Sequence, residues 1–325
     1  MAIYTFDQAV ERATQVLEAA GANRAMALST AKGLVMAEAQ GLTSHGLSRL
    51  KQYASHLSVG RVNPLAQPSI VKDSRAGVLI DADEGLAFPA CELAIAELIV
   101  RAKEYGIGFA GVTRSHHFGM ASLHLDAVAQ AGMVGLAFSN SPSAMPAWGG
   151  KTALFGTNPI AAVFPRHNKD PISVDMSLSE VARGKLMVAA QKGQEIPLGW
   201  GLDSDGQPTT DPKVAMQGMM CPMGGVKGSM LALTVELLCV ALTGASFGFE
   251  ADSFFEKEGN RPHLGHVFLA INPGALAGNE IFNERIETLV SAMLLDPDVR
   301  LPGSRRNAIM VAADNKLELA DSLFE

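Results

Sequence analysis

Near the N-terminus, apolar residues recur at helical spacing. Ala9, Ala13, Val16, Leu17 and Ala20 share one face, and Gly21 ends the run. Thr5, with Gln8 three residues on, makes a capping box for this helix. A second helix is predicted over about residues 24–39 and a third over 44–58, closed by Gly60. Val62-Asn63-Pro64 and Gln67-Pro68 then mark a loop. Beyond residue 70 the texture changes. Strands are predicted at 78–82, 109–113, 134–138, 161–164, 172–175 and 266–271. Helices are predicted over about 90–105 and 121–131, from 229 onward, and over 279–295. This alternation predicts a mixed α/β body (66–298) behind a helical N-terminal part (1–65), with a C-terminal segment (299–325) that carries a basic loop.

The chain has 325 residues, enough to bury a substantial core. An apolar share of 48% with 6% aromatic suits a compact enzyme rather than a disordered chain. A net charge of −7 argues against nucleic acid as a partner, so an anionic ligand needs a local basic site. No signal peptide is expected at the N-terminus. The stretch from Met230 to Ala245 is too short and too polar to cross a membrane, because Thr234, Glu236 and Thr243 interrupt it. Cys91, Cys221 and Cys239 lack metal-ribbon or disulfide-framework spacing, and the expected compartment is the cytoplasm.

Gly106-Ile107-Gly108-Phe109-Ala110-Gly111 matches a dinucleotide fingerprint only in letters. That fingerprint needs a strand before the glycines and a helix after them; here a helix precedes and a strand follows. Gly224-Gly225-Val226-Lys227-Gly228-Ser229 stands before an apolar helix, where free N–H groups and an ammonium can meet a phosphate; it also reads as a plain packing turn. Arg300, Arg305 and Arg306 form a basic knot around Pro302-Gly303, which reads either as a solvated loop or as a phosphate site.

In Thr43-Ser44-His45-Gly46-Leu47-Ser48-Arg49, Ser44 is expected to N-cap a helix. His45 then lies in its first turn, with Arg49 four residues on along the same face. Reducing a 2-oxo acid requires a proton donor at the carbonyl oxygen and a cation for the carboxylate, and His45 and Arg49 supply both. Alternatively these are a cap and two surface side chains. His116 and His117, with His124 and Asp126 nearby, keep a metal-dependent hydrolase open as a non-redox alternative. A non-catalytic ligand-binding protein is the third class.

Six segments together resemble the type-2 malate/L-lactate dehydrogenase family, whose members include sulfolactate dehydrogenases and cyclic-imine carboxylate reductases. They are Ser44-His45-Gly46 with Arg49, Ser115-His116-His117-Phe118-Gly119, Leu154 to Pro159, Asp175-Met176 with Val181 to Lys185, Gly224 to Gly228, and Leu301-Pro302-Gly303. They occur in family order along nearly the whole chain. The resemblance implies a non-Rossmann mixed α/β fold, a mixed or antiparallel sheet flanked by helices, a nicotinamide cofactor and a homodimer. It implies that His45 is the proton donor supported by Ser44, and that Arg49, Arg183 and Gly184 meet the substrate. It also implies that His117, Phe118, Gly119, Met120, Ala121, Thr157, Asp175, Met176, Ser177, Val226, Lys227, Arg300, Gly303, Arg305 and Arg306 line the cofactor. No metal is implied.

Lys185, assigned a catalytic position, stands where the imine reductases carry an aspartate, which places ketone reduction ahead of imine reduction. Val226 replaces the family's usual histidine. Arg305 and Arg306 favour NADP(H) over NAD(H), since arginines suit a 2′-phosphate. The expected activity is reduction of a malate-, lactate- or sulfolactate-type 2-oxo acid, with cyclic-imine carboxylate reduction as the alternative.

Overall fold

Strand β1 (Ala2–Thr5) leads into helices α1 (Phe6–Ala19) and α2 (Arg24–Ala39) of the computed structural model, which describes residues 1–325. The Thr5–Gln8 capping box is present in both directions. β1 itself escaped the sequence reading, because it forms by antiparallel pairing with a strand at the far end of the chain, Lys316–Leu319. Leu317, Leu319 and Phe324 accordingly join Leu17, Leu34, Leu50 and Tyr53 in one buried cluster.

The expected single helix over 44–58 is broken. Two short 3-10 turns, Thr43–His45 and Leu47–Arg49, precede α3 (Leu50–Ser58). The break falls at Gly46, where a Cβ would lie 2.2 Å from Glu38 Oε2. That carboxylate accepts the Leu47 N–H at 2.9 Å. A contact from α2 thus overrides helix propagation.

The body is built on a seven-stranded sheet. Its strands in chain order are β2 (Ser69–Ser74), β3 (Gly77–Asp81), β4 (Ile107–Ser115), β5 (Val134–Ser139), β6 (Ile160–Arg166), β7 (Lys169–Met176) and β8 (Leu264–Ile271). The spatial order is β2-β3-β4-β8-β5-β6-β7. Every pair is antiparallel except β3–β4. That parallel pair requires a crossover, supplied by α4 (Ala87–Tyr105).

Ala90, Ala94, Leu98 and Ala102 of α4 are fully buried, and small side chains let the helix lie close to the sheet. Gly108 completes the fit, since a Cβ there would meet Leu98 O at 2.7 Å. Burying Leu98 contributes about 2–3 kcal/mol. Gly106 adopts φ +82° as the left-handed cap of α4. The glycine-rich match is therefore a helix stop before a strand, as expected from its order.

The opposite face of the sheet is covered by α6 (Val226–Glu236) and the π turn that continues it through Ala241, with Val235, Cys239 and Val267 at the contact. Helices α5 (Arg183–Lys192) and α8 (Ser304–Ala313) were not anticipated, nor was the short helix Pro212–Gln217; α7 (Asn279–Met293) precedes α8. The basic segment is thus only partly loop, and Arg305 and Arg306 lie in the first turn of α8. No helix is long and apolar enough to cross a membrane.

Candidate active site

His45 closes the turn that follows α2. Ser44 caps no helix, contrary to expectation; its Oγ lies 3.0 Å from His45 Nδ1. When that hydroxyl donates, the neutral ring carries its own proton on Nε2. Arg49 is tied back to the same turn, its Nε donating to Ser44 O at 2.7 Å and its Nη1 to Gln52 Oε1 at 2.9 Å. The two functional groups are therefore joined through the Ser44 carbonyl rather than by helical spacing. His45 keeps a part-exposed edge. Burial lowers its pKa to about 4; Arg49 pushes the same way and Asp175 opposes.

The His117 ring stacks on His45, with centroids 5.6 Å apart and planes 28° from parallel. Its Nδ1 lies 2.6 Å from the hydroxyl of Tyr53, which is fully buried. Burial holds the imidazolium of His117 far below its usual range. His116 turns the other way, Nε2 to His56 Nδ1 at 3.0 Å. His124 Nε2 bonds to Phe118 O at 2.7 Å. Asp126 is pushed up to about 6 by burial. The three histidines of the hydrolase reading thus serve separate partners, and no group of three His, Cys, Asp or Glu is placed to share an ion.

Arg49 and Arg183 converge. Their guanidinium carbons lie 5.4 and 5.1 Å from the centre of the Phe255 ring. Gly184, next to Arg183, faces open space. Lys185 is exposed, and its ammonium lies 5.7 Å from the Trp200 ring rather than on any of these groups. Trp200, Trp148, Glu180 and Cys221 line a cavity of about 810 Å3, which none of His45, Arg49 or Arg183 touches.

The residues expected at the cofactor divide into two sorts. Phe118, Met120 and Ala121 are buried, so this stretch can offer a ligand only backbone groups. Phe118 stacks on His266 at 4.7 Å. A Cβ on Gly119, at φ +73°, would lie 2.9 Å from Phe88. Asp175 Oδ2 accepts the Ser122 N–H at 2.9 Å. Arg306 donates to Ser122 Oγ at 2.9 Å and Ser173 Oγ at 3.2 Å, and lies 3.5 Å from Asp175, so its guanidinium ties three elements together. The Thr157 N–H donates to Ser141 Oγ at 3.1 Å, and the Ser177 and Ser179 hydroxyls meet at 3.2 Å.

The second sort is exposed: Met176, Val226, Lys227, Arg300 and Arg305. None of the three cations among them is ion-paired. Gly225 and Gly303 precede α6 and α8 with positive φ and no side-chain cap. N–H groups of the first turn of α6 are free beside Lys227, whereas in α8 the Ser304 and Arg306 N–H groups bond to Leu301 O and Gly303 O and leave that of Arg305 free. Unpaired cations beside uncapped helix ends fit a ligand bearing phosphates. Glu38, Gln52, Tyr53 and Phe255 carried no motif in the sequence. The nearest signal was the Phe254-Phe255 pair inside an acidic stretch.

A half-buried imidazole joined through Ser44 to Arg49, with Arg183 converging on the same aromatic ring and unpaired cations at two helix starts, stands on a mixed sheet that is not of Rossmann order. The sequence profile of the malate/L-lactate dehydrogenase family matches residues 4–324. The (2R)-3-sulfolactate dehydrogenase (NADP(+)) of Chromohalobacter salexigens is 47% identical over 96% of this chain and 93% of its own. The Delta(1)-pyrroline-2-carboxylate/Delta(1)-piperideine-2-carboxylate reductase of Pseudomonas putida is 39% identical over 88% and 84%. The crystal structure of the delta1-piperideine-2-carboxylate reductase of Pseudomonas syringae superposes with a TM-score of 0.94 at 32% identity, covering 99% and 98%. The chain belongs to the malate/L-lactate dehydrogenase family and is an NAD(P)-dependent oxidoreductase.

Proposed function

We propose that the protein reduces a 2-oxo acid carrying a second acidic group, of the sulfopyruvate or oxaloacetate type, to the 2-hydroxy acid at the expense of NADPH. One observation carries the choice of substrate: Arg49 and Arg183 present two guanidiniums on one aromatic ring, and Arg49 is joined to the turn that holds His45. A single carboxylate needs only one of them.

A nicotinamide cofactor, when bound, would supply the hydride for C2 of the substrate. Arg49 binds the carboxylate and Arg183 the second acidic group. Ser44 holds His45 by Nδ1, leaving the Nε2 edge to protonate the developing alkoxide. Burial makes the imidazolium of His45 a strong acid, and the charge of a bound dianion raises its pKa toward the working range. His117, clamped by Tyr53, packs the ring in place. Lys185 has no contact with this group; its ammonium lies over the Trp200 ring.

Arg300, Arg305 and Lys227 support phosphate binding and a preference for NADP(H), in keeping with the cofactor in the Chromohalobacter enzyme's name. The exposed apolar stripe of Met230, Leu231, Leu233, Leu237 and Leu242 on α6 and its continuation supports a homodimer. Three free thiols suit the reducing cytoplasm.

The test is consumption of NADPH and of NADH against sulfopyruvate, oxaloacetate, pyruvate and the two cyclic-imine carboxylates. Highest kcat/KM with NADPH and a dianionic 2-oxo acid is expected. Turnover confined to the imines would transfer the chain to the reductase branch.

A further inference from the structure

Phe255 belongs to the stretch 252–260, which forms no helix or strand of its own. It is nonetheless anchored from within. Arg61 is 1% exposed and forms no ion pair. Its Nε donates to Asn260 O at 3.0 Å, its Nη1 to Ser253 O at 3.0 Å and Glu256 O at 2.6 Å, and its Nη2 to Asp252 O at 3.1 Å. His56 Nε2 reaches the same Glu256 carbonyl at 3.0 Å, and the Gln52 amide reaches Phe254 O. Holding a guanidinium in the interior without a carboxylate carries a desolvation penalty, offset here by four carbonyls of one loop. The loop is thereby fixed to α3 and the residues after it.

Its two aromatic residues diverge. Phe254 is buried against His116 and His117, with centroids 5.0 and 5.2 Å apart. Phe255 stays 46% exposed under the two guanidiniums. The arginines depend on it unequally. Arg49 is also held by Ser44 O and Gln52, whereas Arg183 makes no hydrogen bond or ion pair, and Phe255 is its one aromatic partner.

We infer that Phe255 is a positioning residue for substrate selectivity: it sets Arg183 at a fixed separation from Arg49, so that a short dianion is preferred over a monoanion, and Arg61 is the clamp that fixes Phe255. This rests on the reading of the site as one for a dianionic 2-oxo acid. A ring in contact with both cations also offsets their mutual repulsion while leaving the fork of Arg183 free for substrate. Removing the ring releases Arg183 and spares Arg49. A monoanion bound by Arg49 therefore feels little.

The experiment compares sulfopyruvate, oxaloacetate and pyruvate as substrates for wild type, Phe255→Leu, Phe255→Tyr and Arg61→Lys at saturating NADPH. Phe255→Leu should raise KM for the dianions about tenfold while leaving KM for pyruvate and for NADPH near wild type. Phe255→Tyr should keep the wild-type ratio. Arg61→Lys cannot reach all four carbonyls and should lower the ratio in the same direction by less. An unchanged ratio in Phe255→Leu, or an equal loss on all three substrates, overturns the inference. An unchanged ratio in Arg61→Lys overturns the clamp. A wild-type enzyme that does not prefer dianions overturns the reading beneath it, and shows this before any variant is measured.

Discussion

The two flanks of the site are built differently. On the His45 flank the protein satisfies its own polar groups: Ser44 with His45, Arg49 with Ser44 and Gln52, Tyr53 with His117, Glu38 with Leu47. On the glycine-capped flank Lys227, Arg300 and Arg305 are exposed and unpaired beside uncapped helix ends. The first flank is organised in advance, as a group that must hold a proton at one place requires. The second is a field of loose cations, whose contribution is electrostatic and screened by salt.

The largest effects should come from the organised flank. His45→Ala should lower kcat by about 10²–10⁴-fold with little change in KM, while Arg49→Ala should raise KM for the 2-oxo acid sharply. Steady-state rates decide it; wild-type turnover in His45→Ala would remove His45 as proton donor. On the cationic flank, Lys227→Ala and Arg305→Ala should each raise KM for NADPH by about 5- to 10-fold at low salt, leaving kcat intact. Both effects should shrink as ionic strength rises. If salt left them unchanged, the contrast between the flanks would be wrong.

The smallest effect is on stability. Seven histidines have pKa values lowered by burial: His45 and His124 to about 4, His266 to about 3, and His56, His116, His117 and His263 in the same direction. A lowered folded value means that the unfolded chain takes up protons first as pH falls through about 6.5. Stability from these groups is full above that pH and is lost on the way down through about 4 for His45 and His124 and about 3 for His266. Glu38, Asp126 and Glu236, raised by burial, act the other way but are fewer. The unfolding temperature should therefore drop between pH 6.5 and 4, and a flat profile across that window would contradict neutral burial of the histidine cluster.

Much of this was legible along the chain. The period of apolar residues located α1, α2, α4 and the inner strands, and the order of helix, glycines and strand exposed the false fingerprint at Gly106. The Ser44–Arg49 segment stood out by its residue types, but the helical spacing expected to join His45 to Arg49 is replaced by the bond from Arg49 to Ser44 O. Caps, glycine stops and side-chain periodicity act over a few residues, so spacing in the sequence encodes them.

What the tertiary structure decided lies between distant residues. The β1 strand exists because residues 316–319 pair with it. The break at Gly46 comes from a carboxylate on α2. The divergence of His116 from His117 depends on where α3 places His56 and Tyr53. Arg61 holds a carbonyl 195 positions away, in the loop that brings Phe255 beneath Arg49 and Arg183. Residue types and local periods determined which elements form and which side chains have the right chemistry. Only packing of elements far apart in the chain decided which of those side chains meet, because burial and hydrogen-bond partners are properties of the folded neighbourhood and leave no period in the sequence.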